Sequence, residues 1–257
     1  KILEEGPETV LAFIVEPVGG ASTGALVPPA GYMQRIRQIC DMYDVLLIHD
    51  EVMSGGGRTG RFLGADHWGV TPDLICLSKG FGGGYVPLGA VIARDDLVDA
   101  VLDAGGFVHG HTYAGNPLAC AAGVAVISEI ETHDLIGNAA AMGEKLAQRL
   151  RDLMQKYPII GDVRGKGLLM AFELMDRQTK APLPAEIGAF KRLVDIAYEN
   201  GLIIYSRRTR GGVSGDHFLV CPPMIVTEAQ LNELVDLLDV SLATFMSEIP
   251  SDILKRA

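Results

Sequence analysis

The chain has 257 residues, 48% of them hydrophobic and 21% charged, and a formal net charge of −10. That length can bury a sizeable core, either as one large domain or as two modest ones, and the composition is that of an ordinary globular protein. So acidic a chain lacks the basic face that a phosphate backbone needs, which argues against nucleic acid as a partner.

In chain order, the apolar run Leu11–Val15 reads as a buried strand that ends at Glu16-Pro17. After a loop from Gly19 to Pro29, apolar positions Tyr32, Ile36, Ile39, Cys40 and Tyr43 recur at helical spacing. Val45–Ile48 is the next buried strand and ends at His49-Asp50-Glu51. Leu74–Leu77 is another, ending at Ser78-Lys79-Gly80, and Leu88–Ala93 follows the glycine cluster. Asn116-Pro117 caps an Ala-rich helix that runs to about Glu131. From Asp134 to Tyr157, Leu135, Ala139, Met142, Leu146, Leu150 and Leu153 share one helix face. The pattern then restarts with strand Leu168–Leu174, a helix over Ile187–Asn200, and strands Leu202–Tyr205 and Phe218–Cys221. Thr227 to Gln230 is a capping box that opens a final helix. The expected class is α/β, with a boundary near residue 133 between a parallel-sheet part and a small α/β domain.

Cys40, Cys76, Cys120 and Cys221 are scattered, with no CxxC pair, and each lies in an apolar stretch. They are expected to be buried thiols of a cytoplasmic protein. No apolar run reaches the roughly 18 residues of a membrane span, so no membrane partner is expected. The sequence starts without Met and without an apolar signal core, and is expected to be part of something longer.

Open α/β sheets bind ligands at the carboxyl ends of their strands. Three strands here end in ionisable residues: Glu16, Asp50 and Lys79. Asp and Lys delivered to one crevice fit either a ligand site or a structural ion pair, and Glu16 fits either a site or a structural carboxylate. Gly80 would let a planar ligand approach the backbone. The glycines from Gly80 to Gly84 match neither GxxxxGK[ST] nor GxGxxG, which argues against a nucleotide. His109 and His111 lack a nearby third ligand, so no metal is expected. The run Arg207-Arg208-Thr209-Arg210 is short, lies among glycines and reads as local.

Several words of the sequence resemble the signatures of class III aminotransferases, pyridoxal-phosphate enzymes of fold type I. They are Glu16-Pro17-Val18, Ile48-His49-Asp50-Glu51-Val52, Ser54-Gly55, Gly57-Arg58-Thr59-Gly60, Pro72-Asp73-Leu74, Ser78-Lys79-Gly80 and Pro87-Leu88-Gly89-Ala90. His111 to Pro117, Arg164 to Leu168, Gly215-Asp216-His217 and Pro222-Pro223 continue the series in order. The resemblance implies part of the large cofactor-binding domain over residues 1–133 and a linker helix with the small C-terminal domain over 134–257. It implies pyridoxal 5'-phosphate held by Lys79 as a Schiff base, with Asp50 keeping the pyridine nitrogen protonated so that the ring accepts electrons. Lys79, once freed, shuttles the substrate proton as base and acid. Val52 packs on the ring, a role compatible with plain core. Thr112, with His111 beside it, crosses a dimer interface to the partner's cofactor phosphate. Glu16 orients the site and holds an arginine when no substrate carboxylate is bound, and Arg208 and Arg210 are the candidates for that carboxylate.

The implied activity moves an amino group from an amine or ω-amino acid to a keto acid such as pyruvate. An aminomutase, a decarboxylating transaminase and a non-catalytic module of the same fold are the alternatives. The expected assembly is a homodimer or a dimer of dimers. The sequence departs from the family in three ways. The family's N-terminal portion, with its phosphate-cup turn, ring-stacking aromatic and part of the substrate pocket, is not in it, so a companion chain or a longer protein is expected. Gly56 stands where an aromatic is common. The arginines precede Gly215-Asp216 by a longer glycine-rich loop than usual.

Overall fold

A computed structural model describes residues 1–209 and 212–249. The chain divides into two units, the first made of Lys1–Val18 and Pro28–Leu135, the second of Gly19–Val27 and the described residues from Ile136 onward.

The first unit opens with the short helix α1 (Ile2–Glu5) and strand β1 (Ala12–Val15), followed by α2 (Tyr32–Tyr43). Strands β2 (Leu46–Asp50), β3 (Leu74–Leu77) and β4 (Ala90–Ala93) come next, then helices α3 (Asp95–Asp103) and α4 (Pro117–Thr132). The sheet order is β1-β2-β3-β4, parallel across the first three strands and antiparallel at β4. Helix α2 stops at Asp44, which takes a left-handed conformation (φ 54°). That turn sends Val45 and Leu47 back under Cys40, with Phe13, Val15 and Ile36 packed around them. Buried Asp73 fastens the layer, accepting the Leu47 N–H at 2.7 Å, Arg37 at 2.8 Å and Arg94 at 2.5 Å. Burial alone would raise the Asp73 pKa, but the bonds from Leu47 and Arg37 and the charges of both arginines hold it below the usual value. Asn116 caps α4 by accepting the N–H groups of Leu118 and Ala119.

The second unit contains α5 (Leu135–Lys156), β5 (Ile160–Lys166), β6 (Leu169–Leu174), α6 (Ala189–Glu199), β7 (Tyr205–Thr209), β8 (Ser214–Val220) and α7 (Glu228–Glu248). Its sheet is antiparallel throughout, in the order β5-β6-β8-β7. One face carries Met170, Phe172, Leu174, Phe218 and Val220 into a single core shared with α5, α6 and α7. Phe172 and Phe218 stack at 5.0 Å. The other face holds the Gly19–Val27 segment. Arg164 donates to the carbonyls of Thr23 and Gly24, and His217 Nε2 donates to the Ala21 carbonyl at 2.8 Å.

Several elements differ from what the sequence pattern predicts. Strand β5 was not expected, because charged Asp162, Arg164 and Lys166 interrupt its apolar pattern. Arg164 answers that charge by pairing with Asp162 and Glu173, each at 2.7 Å. Helix α3 was not expected either. The strand expected over Leu202–Tyr205 instead begins at Tyr205: Leu202 and Ile204 are buried in the core, but ladder pairing starts only at Tyr205 with Leu219. The last strand begins at Ser214 rather than Phe218, since polar Asp216 and His217 find partners inside the fold. Cys40 is buried as expected, whereas Cys120 and Cys221 are exposed.

Candidate active site

The parallel pairing of β1, β2 and β3 fixes where their carboxyl ends lie. Val15 pairs with His49 and Asp50 with Cys76, so Glu16, Asp50 and the Ser78-Lys79 turn leave the sheet at one edge. This is where a ligand binds in an open α/β sheet.

Asp50 is half-buried, and its Oδ1 accepts the Val52 N–H at 3.1 Å. Lys79 is exposed and opens the turn Lys79–Gly82. Its φ of 49° lies in the left-handed region, which a residue with a Cβ adopts at a cost. Backbone strain of this kind concentrates at functional sites. Ser78 steadies the turn by donating to the Leu88 carbonyl at 2.9 Å. A Cβ added at Gly80 would meet nothing within 4 Å, so the space beside the lysine is open. Among the described residues neither Asp50 nor Lys79 forms an ion pair, with each other or with any other group. A structural Asp–Lys pair is therefore not what keeps them at this edge.

Val52 is half-buried in the turn after Asp50. His111 and Thr112 are exposed on the connection before α4, where the rings of His109 and His111 meet edge to face at 5.1 Å. Among the described residues no group of three or more His, Cys, Asp or Glu side chains could hold a metal ion. Arg208 lies in the second unit and is committed there. Its Nε donates to Asp216 at 2.6 Å and its guanidinium lies 4.1 Å from the Phe190 ring centre. Arg210 falls outside the described residues.

Two residues beside Asp50 went unread in the sequence. His49 is fully buried with neither ring nitrogen hydrogen-bonded among the described residues, and burial, aided by the Arg37 charge, pushes its pKa down to about 4. Glu51 is 1% exposed and accepts hydrogen bonds from Ser54, Gly64 and Ala65. Three ionisable residues in a row at a strand end were the signal. Which of them turns inward is decided by the loop that follows, and that loop has no periodicity to read.

A carboxylate and an amine, neither in an ion pair among the described residues, at the carboxyl edge of one sheet and beside open glycine backbone, fit pyridoxal phosphate. The amine suits a carbonyl carbon and the carboxylate suits a protonated ring nitrogen.

The aminotransferase class-III family profile matches residues 1–242. Taurine–pyruvate aminotransferase of Bilophila wadsworthia is 39% identical over 249 residues, which is 95% of this chain and 54% of the relative. The crystal structure of a transaminase from the marine bacterium Virgibacillus superposes with a TM-score of 0.92 at 34% identity, covering 97% of this chain and 56% of that one. An amine transaminase from an uncultivated Pseudomonas species, solved with pyridoxal phosphate bound, is 40% identical with a TM-score of 0.86, over 95% of this chain and 54% of its own. The chain thus spans about half the length of the relatives it matches. Its edge residues, its fold and these likenesses agree: the chain belongs to the class-III aminotransferase family.

Proposed function

We propose that the protein works as a pyridoxal-phosphate-dependent aminotransferase, moving an amino group from an amine or ω-amino acid to a keto acid such as pyruvate. The observation that carries this reading is the placement of Asp50 and Lys79, each without an ion pair among the described residues, at the carboxyl edge of β2 and β3. The names of the relatives point the same way: one acts on taurine and pyruvate, and one is an amine transaminase. The cofactor, when bound, supplies an electron sink for the substrate's Cα. Lys79 would hold its carbonyl carbon and, when released, take and return the substrate proton. Asp50 would keep a proton on the ring nitrogen, and Val52 would pack against the ring. His111 and Thr112 stand exposed, which suits service to the cofactor phosphate of a neighbouring copy in a homodimer or a dimer of dimers. Glu16 would face the substrate. Arg208 binds Asp216 through Nε alone, so its terminal N–H groups would be the donors to a substrate carboxylate; Arg210 is the other candidate.

In this reading residues 1–133 belong to the cofactor-binding domain, and 134–257 form the linker helix and small domain. Exposed Ile14, Val91, Ile92 and Val124 of the first unit suit a surface covered by the part of the relatives outside the match, in the same polypeptide or in a companion chain. Among the described residues the four cysteines form no disulfide, which suits a reducing cytoplasm. The test is a screen of amines, ω-amino acids and keto acids on the full-length protein loaded with cofactor. Stoichiometric amino transfer to pyruvate or a related keto acid is expected. A product that keeps its nitrogen at a shifted position, or no turnover of any pair, contradicts the reading.

A further inference from the structure

We propose that Glu51 is a positioning residue, holding Asp50 and Val52 in the geometry that the cofactor ring needs. The inference rests on the reading of Asp50 given above. Glu51 is buried to 1% exposure, yet among the described residues no cation pairs with it. Its carboxylate instead accepts three hydrogen bonds, from Ser54 Oγ at 2.5 Å, the Gly64 N–H at 2.9 Å and the Ala65 N–H at 2.8 Å. Its own N–H donates to the Cys76 carbonyl, and its carbonyl accepts the Gly55 N–H, each at 2.9 Å. One residue thus ties β3 to both ends of the loop from Val52 to Leu63.

The surroundings are shaped to this carboxylate. A Cβ on Gly64 would come within 2.8 Å of the Ser54 Cβ and 3.0 Å of Glu51 Oε2. A Cβ on Gly55 would come within 2.8 Å of the Glu51 carbonyl oxygen. A buried carboxylate is costly, and an apolar side chain would fill the same space without that cost. What an apolar side chain cannot do is gather three donors. Burial raises the Glu51 pKa, and the bonds from Ser54, Ala65 and Gly64 pull it back. The consequence falls on the neighbouring residue. The Asp50 carboxylate accepts the Val52 N–H at 3.1 Å, a bond that exists only because the chain turns at Glu51. Loosening that turn frees the carboxylate that faces the ring nitrogen.

The experiment follows the protonation of an isotopically labelled ring nitrogen by NMR across pH, on the full-length protein loaded with labelled cofactor. Cofactor affinity is measured alongside. Asp50→Asn tests the underlying reading and should remove the protonated-nitrogen signal at neutral pH. Glu51→Gln keeps the shape but loses an acceptor, and should shift the ring-nitrogen titration to lower pH and weaken cofactor binding by about tenfold. Ser54→Ala removes a single donor and should move both in the same direction by less. If Glu51→Gln does not fold, Ser54→Ala carries the test alone. A ring-nitrogen titration that Asp50→Asn abolishes but Glu51→Gln and Ser54→Ala leave in place reduces Glu51 to a structural residue and overturns the proposal. A ring nitrogen that stays protonated in Asp50→Asn overturns the reading of Asp50, and the proposal with it.

Discussion

In the second unit, α5, α6 and α7 lay Leu146, Leu150, Leu193, Leu238 and Leu242 against Phe172 and Phe218 of one sheet face. All seven are essentially inaccessible to solvent. In the first unit, α2 covers one face of β1 and β2 around Cys40, Val45 and Leu47, while Ile14, Val91 and Ile92 of the same sheet stand 60%, 66% and 49% exposed. From Pro117 to Ile127 helix α4 has no polar side chain but the Cys120 thiol, yet Leu118 and Val124 face solvent. A helix with no polar face belongs in a core. One unit thus closes its own core, and the other carries the candidate chemistry on a sheet whose apolar surface is only partly used. The closed core and the candidate chemistry lie in different parts of the chain. Whatever binds the first unit's native form alone, cofactor or covering polypeptide, stabilises it by mass action.

Truncation sharpens the contrast most. Phe218→Ala should cost about 3–5 kcal/mol, because it empties a site packed on all sides and breaks the stack with Phe172. Measured on residues 1–257 alone, where Ile14 stands exposed, Ile14→Ala should stay within about 0.5 kcal/mol. Denaturant unfolding of the two variants gives both numbers, and equal losses would break the comparison.

A smaller effect separates the units by pH. His49 is neutral in the fold, with its pKa pushed from 6.5 down to about 4. The unfolded chain takes up a proton at the higher value, so between these limits it binds more protons than the fold. Stability contributed by keeping His49 neutral is present above pH 6.5 and is lost as pH falls toward 4, by at most about 3 kcal/mol. Unfolding measured across that range should lose this slope in His49→Leu. A slope that survives the substitution assigns it to other groups.

Much of the fold was legible because buried parallel strands are short apolar runs. Leu74–Leu77 was read with its structural bounds, and the Asn116-Pro117 and Thr227–Gln230 caps marked the starts of α4 and α7. The antiparallel sheet was harder. Arg164, Asp216 and His217 put polar atoms into strands β5 and β8, and they are tolerated through Glu173 and Arg208 on the paired strands and through the Ala21 carbonyl, 196 residues from His217. At the site, strand-end positions pointed to Glu16, Asp50 and Lys79, since strand direction alone sets that edge. Glu51 and His49 lay in the same word, but their burial depends on Gly64, Ala65 and α2, which no local pattern announces. The strained φ of Lys79 has no sequence signature either.

The most direct test of the account is which lysine holds the cofactor. The full-length protein loaded with pyridoxal phosphate is reduced with borohydride, digested and mapped by mass spectrometry. The account predicts a pyridoxyl group on Lys79, and its loss in Lys79→Ala with the second unit's resistance to unfolding unchanged. A pyridoxyl group fixed on any other lysine, or none at all on the loaded protein, would contradict it.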